Sequence, residues 1–245
     1  MAMIAILIAC KIHLNGPHMT LRRLSLVTLL LLLLPSMLPA AEQTVQLLDG
    51  AFVKLFFFEP QDELLAGDNP PPLAIFIAGG SNNEFMAKAQ FWLGKEFVDR
   101  GWAIAVPISP DGKGFSTGDS STLPQIIKQL HATHALQDSK PLLVGMSSGG
   151  SEAIAIASLD PSAFRGVVAT PGRIKPDASL VELDGLPFYI RIGEKDDFRW
   201  NRMLEPMSQK LLAAGAQVDA AIVEDARHVF QLDWESLEAW LGKLK

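Results

Sequence analysis

From Val45 onward the chain alternates short apolar runs with longer stretches whose apolar positions recur three and four apart. The first kind reads as strand and the second as helix. Two early strands are expected at Val45–Leu48 and Phe52–Phe58, with Asp49-Gly50 between them as a hairpin turn. After the turn-rich stretch Asp62–Pro72, Leu73–Ala78 is a fully apolar strand that runs into Gly79-Gly80-Ser81-Asn82-Asn83. A helix over Glu84–Arg100 is predicted, with Phe85, Ala89, Trp92/Leu93 and Phe97 on one side and Gly101 as its stop. Trp102–Val106 is the next strand; it leads into the loop Pro107–Ser121 and a helix over Leu123–Leu136.

Further on, Pro141–Val144 is a buried strand followed by a helix rich in small residues, Gly149–Leu159. Gly166–Ala169, Pro187–Ile192 and Gln217–Val223 complete the strands. A helix over Asn201–Ala214 stops at Gly215, and Asp233 caps a last helix whose apolar side is Trp234, Leu237, Trp240 and Leu241. There is neither an internal repeat nor a low-complexity linker. Apolar strands alternating with helices imply an α/β fold: a doubly wound, mostly parallel sheet with helices on both faces and an antiparallel hairpin at one edge.

The front of the chain departs from this pattern. Residues 1–41 carry three basic side chains (Lys11, Arg22, Arg23) and no acidic ones. Met19-Thr-Leu-Arg-Arg23 precedes the strongly apolar run Leu24–Leu34, and Pro35 with Ser36–Ala41 gives a small-residue exit. Those are the three parts of a secretory signal peptide, and the run is well short of the ~20 residues a membrane-spanning helix needs. Residues 1–41 are therefore expected to be a signal peptide, with Met19 an alternative start, and 42–245 the functional domain. Export to the periplasm or medium follows as an expectation. Leu7-Ile8-Ala9-Cys10 has the outline of a lipoprotein processing box, but no Lys or Arg precedes it, which argues against lipid anchoring at Cys10.

Without the leader, 204 residues carry 18 basic and 27 acidic side chains, a net −9 against −6 for the whole chain. An acidic body with no basic stripe is a poor fit to nucleic acid. Cys10 is the single cysteine, so the exported body has no disulfide and relies on its core.

The chemistry gathers at strand ends. In Leu142-Leu-Val-Gly145-Met146-Ser147-Ser148-Gly149-Gly150 a buried strand turns straight into a helix with a serine at the corner. The sharp Gly-x-Ser-x-Gly turn lifts the Ser147 hydroxyl clear of the backbone, and the helix N-terminus offers free N–H groups to a developing oxyanion. Ser147 is the expected nucleophile, with Ser148 one step past the corner. For its base the body holds three histidines. His131 and His134, with Asp138 nearby, lack a third ligand at metal spacing and read as a solvated helix face, so no metal is assigned. His228 follows the Gln217–Val223 strand, where catalytic groups collect in open α/β sheets. The orienting acid is sought in Gly193-Glu194-Lys195-Asp196-Asp197, after another strand: Asp196 first, then Asp197 and Glu194.

The order Ser147, Asp196, His228, each after its own strand, resembles the α/β-hydrolase fold over about Val45–Leu244. Gly79-Gly80-Ser81 stands where that family's His-Gly oxyanion loop lies, with Ala78 in place of the His. Asp111-Gly112-Lys113-Gly114-Phe115-Ser116-Thr117-Gly118 resembles its Asp-x-Arg-Gly-x-Gly loop. By the resemblance, one oxyanion N–H comes from Ser148 and the other from Gly80 or Ser81. It implies a serine esterase that needs no cofactor and acts on a small-molecule ester. A peptidase or amidase with the same triad, or a non-catalytic binding protein, is the alternative. The 17 residues Thr170–Leu186, where many relatives insert a lid, leave room for little or none.

Overall fold

The computed structural model describes residues 41–244 except 66–68, 81–82, 111, 113, 118–120 and 175–179. The expected leader lies outside the described residues. In chain order the elements are β1 (Ala41–Gln46), β2 (Phe52–Phe58), β3 (Leu73–Ile77), α1 (Glu84–Ala89), α2 (Phe91–Val98), β4 (Ala103–Pro107), α3 (Thr122–Thr133) and β5 (Leu142–Gly145). They continue with α4 (Ser148–Leu159), β6 (Gly166–Ala169), β7 (Pro187–Gly193), α5 (Leu204–Ala213), β8 (Gln217–Val223) and α6 (Trp234–Leu241). The strands form one sheet in the order β1-β2-β4-β3-β5-β6-β7-β8. β2 is antiparallel to both its neighbours, and all other pairs are parallel.

Alternation along each strand splits the core in two. Ile75, Ile77, Leu143, Val167 and Phe188 face one side, under α3, α4 and α5. Ala74, Phe76, Val144, Val168 and Tyr189 face the other with Leu93 and Phe97 of α2 and Leu237 and Trp240 of α6. Strands buried on both faces read as unbroken apolar runs, which is why β3, β5 and β6 were legible.

Three elements and one residue differ from expectation. β1 begins at Ala41 and ends before Leu47, where the expected strand was centred. It is an edge strand held by its pairing to β2, so polar positions are tolerated; Leu47 and Leu48 instead enter the turn, closed by Leu47 N–H donating to Ala51 O at 2.8 Å. The single helix expected over Glu84–Arg100 is two. Its first part is capped by Asn83, whose side chain accepts the Met86 N–H, and the break falls at Gln90. There the Gln90 Oε1 accepts the Gly79 N–H at 2.6 Å, tying the break to the end of β3. Because of the break, Phe85 is exposed while Leu93 and Phe97 are buried. The expected Asn201–Ala214 helix opens as a 3-10 turn, Trp200–Met203, and becomes α only at Leu204, with Pro206 in the first turn where no donor is needed.

The fourth correction is His134. It follows the last residue of α3 and is no solvated ring: it packs against Phe57 at 4.0 Å between centroids and bonds the Gln43 amide at 3.1 Å. Among the described residues no helix is long and apolar enough to cross a membrane.

Candidate active site

β3 and β5 lie side by side, but the chain leaves them toward opposite faces: to α1 and α2 from β3, to α4 from β5. A crevice opens at such a topological switch point, beyond the strands' carboxyl ends. Ser147 sits there, immediately after β5. Its backbone is strained, with φ 60° and ψ −127°, and its N–H donates to Pro171 O at 2.8 Å. Strain of this kind persists only where the surroundings hold it. The surroundings are tight: a Cβ on Gly145 would stand 2.3 Å from Gly149 O, and one on Gly149 would stand 2.1 Å from Ile77 O. Only glycine lets α4 start this close to β3 and β5.

Ser147 Oγ lies 2.8 Å from His228 Nε2, and His228 Nδ1 lies 2.6 Å from Asp196 Oδ2. With the imidazole proton on Nδ1, donated to the carboxylate, Nε2 accepts the serine hydroxyl. Asp196 is buried, and its other oxygen accepts the Phe198 and Trp200 N–H groups at 2.9 and 3.0 Å, so its orientation is set by the turn itself. His228 is also buried, and the edges of Phe198 and Trp200 flank its ring, at 4.6 and 5.0 Å.

The other two acids considered in the sequence face elsewhere. Asp197 pairs with Arg227, and that guanidinium holds its carboxyl below the ordinary carboxylate range. Glu194 accepts the Asp225 N–H at 3.0 Å. With the Lys195–Asp225 pair, these contacts lace the turn after β7 to the turn after β8. Gly193 makes the approach possible: a Cβ there would be 2.1 Å from Arg227 O.

On the oxyanion side the structure departs from the simplest expectation. The Gly80 N–H donates to Ser148 Oγ at 2.6 Å, so it is already engaged by a hydroxyl rather than open. Among the described residues no acceptor faces the Ser148 N–H, at the first turn of α4. Ser81 lies outside the described residues. So do Asp111, Lys113 and Gly118 of the loop after β4, whose described part is gripped by a residue that sequence reasoning missed. Glu152 Oε1 accepts the Phe115 and Ser116 N–H groups at 2.6 and 2.7 Å, and Oε2 accepts the Ser116 hydroxyl at 2.8 Å. Its place one turn along α4 from Ser148 was the available signal. Phe198 and Trp200 were missed because nothing in their spacing ties them to His228.

Between β6 and β7 the described residues contain no helix; 175–179 lie outside them. Among the described residues no three His, Cys, Asp or Glu side chains gather as a metal site requires.

The sequence matches the dienelactone hydrolase family over residues 116–239, from the loop after β4 to α6. No curated protein sequence matches the chain. The fold is similar to that of a thermostable esterase, at 18% identity and TM-score 0.61, over 76% of this chain and 55% of that one; this chain spans about half of that protein's length. It is similar to a Klebsiella pneumoniae protein described as a dienelactone hydrolase, at 18% identity and TM-score 0.64, over 84% of this chain and 98% of that one. A third likeness is to fungal esterases from Rhizomucor miehei, at 16% identity and TM-score 0.66, over 99% of this chain and 95% of that one.

Proposed function

Since the chain belongs to the dienelactone hydrolase family, it is a hydrolase, and we propose that it cleaves carboxylic esters through an acyl-enzyme on Ser147. The observation that carries this reading is the unbroken line Ser147–His228–Asp196 at the switch point of the sheet. His228 Nε2 takes the hydroxyl proton as Ser147 Oγ attacks the acyl carbon, and Asp196 stabilises the imidazolium that forms. The Ser148 amide meets the oxyanion, a contribution of roughly 3 kcal/mol to lowering the barrier. The tetrahedral species collapses as Nε2 returns its proton to the leaving alcohol. Water then attacks the acyl group by the same route in reverse and frees Ser147 and the acid. A lactone is an ester whose leaving alcohol stays tethered, and the same steps open it.

We further propose that the enzyme works outside the cytoplasm, after loss of residues 1–41. The support is the basic, apolar and small-residue order of the leader and an acidic body free of cysteine.

A fluorophosphonate probe tests the chemistry. It should label the protein at Ser147 and abolish hydrolysis of p-nitrophenyl esters, and aminoacyl anilides should be cleaved far more slowly. Labelling of Ser148 with Ser147 untouched would overturn the assignment.

A further inference from the structure

Phe198 is 66% exposed although it stands in the wall of the site. Its backbone is not free: the N–H is held by the same Asp196 carboxylate that holds His228. The phenyl ring stands beside the imidazole, 4.6 Å away and near-perpendicular to it at 75°, on a backbone anchored to that carboxylate. The neighbouring Trp200 is differently placed. It is only half-exposed, its edge contact with His228 is at 5.0 Å, and the Arg173 guanidinium lies over its ring at 5.1 Å. Of the two aromatic rings on the imidazole, Phe198 is the one left open. Single exposed apolar side chains are ordinary on a protein surface; a phenyl packed against the imidazole of His228 is a different matter.

The chemistry says which part of a substrate meets it. Nε2 must reach the departing oxygen to return its proton, so the alcohol half of the ester lies on the histidine side. The carbonyl oxygen points the other way, toward the Ser148 amide. We propose that Phe198 is the platform for the alcohol part of the substrate, and that this part is flat and apolar, an aryl or benzylic alcohol. This rests on the ester reading above. Face or edge stacking on the phenyl then adds binding that a small alkyl alcohol cannot collect.

Three esters separate the halves: ethyl acetate, benzyl acetate and ethyl phenylacetate, followed by acid release in a pH-stat. The first two share an acyl-enzyme and differ only in the alcohol; the third carries the ring on the acyl side. In Phe198→Ala the ratio of kcat/KM for benzyl acetate over ethyl acetate should fall about tenfold. The ratio for ethyl phenylacetate over ethyl acetate should stay within about twofold. Phe198→Tyr should restore the parent's preference, and Phe198→Leu should fall between. Melting curves of each variant establish that the comparison is made on folded protein. Loss that follows the acyl ring, or both ratios unchanged in Phe198→Ala and Phe198→Leu, would overturn the assignment while leaving the hydrolase reading intact. A parent protein that cleaves neither these three nor p-nitrophenyl esters would overturn the ester reading and this one with it, and one that cleaves p-nitrophenyl acetate but not benzyl acetate would overturn this one alone.

Discussion

Two adjacent carboxylates of the same chemical type have different partners because of where each points. Asp196 is buried against His228, whereas Asp197 faces solvent and Arg227. Asp196→Asn should lower kcat by up to about 10⁴, since an amide favours the wrong imidazole tautomer. Asp197→Asn should cost only a few-fold. Ser147→Ala and His228→Ala should each be as severe as the double variant, because the two act as one unit. A crippled Asp197→Asn beside an active Asp196→Asn would assign the acid one residue later. Away from the site, Glu84 at the start of α1 is bonded by Lys54 and then Lys88, which lowers its carboxyl to about 2. A depressed carboxyl supports the fold above its ordinary range, and that support is lost as pH falls from there through about 2. In a carboxyl NMR titration the Glu84 midpoint should lie near 2 and rise toward the ordinary value in Lys54→Met; no movement would remove Lys54 as the cause. Glu84 and both lysines remain open to solvent in part, so screening keeps the effect on overall stability small.

Among the elements, α4 does more than follow the turn at Ser147. Through Glu152 it holds the loop that follows β4, where Phe115 is buried and Gly114 adopts φ 97°. Glu152→Ala leaves two backbone donors and a hydroxyl without their acceptor, a cost of about 2 kcal/mol. For a chain of this size that corresponds to a drop of about 5 °C in Tm. KM should rise as well, since Phe115 and Ser116 are held one turn along α4 from Ser148, while fluorophosphonate still labels Ser147. A variant that melts with the parent would show that the loop is held by other contacts. The break at Gln90 belongs to the same scale. Hydropathy spacing follows one continuous helix through it, because a side-chain amide accepting from a distant strand end leaves no mark on periodicity.

At the scale of the whole molecule, the sheet begins where the leader is expected to end. Ala41 pairs with Phe57 across the β1–β2 ladder. Protein recovered from its exported fraction should start at Ala41 or Glu42 by N-terminal sequencing. Recovery only from the cytosol, starting at Met1, would refute export. A protein produced from Ala41 should fold and melt in one cooperative transition, because among the described residues the two faces of the sheet are buried by side chains from beyond that point; a broad transition without a cooperative midpoint would refute it.

The strands themselves and the Gly-x-Ser-x-Gly turn were legible because both are local, whereas the order of the strands in the sheet was not. A strand buried on two faces must be apolar throughout, as Leu73–Ile77 is, and a turn as tight as Gly145–Gly149 admits few residues but glycine. The spacing of Asp196 and His228 after their strands was local too. What no local pattern carries is the choice among equals. Asp196 and Asp197 are separated only by which one the β7 turn rotates inward, and that depends on a close approach to Arg227 from the next strand. The Gly80 amide meets Ser148 Oγ, Glu152 meets Phe115 and Ser116, and Phe198 meets His228 across gaps of 30 to 68 residues. Such contacts are made by packing, after the sheet has brought its carboxyl ends together. The amino-acid order determined which elements form and which side chains could react; the tertiary structure decided which of them touch.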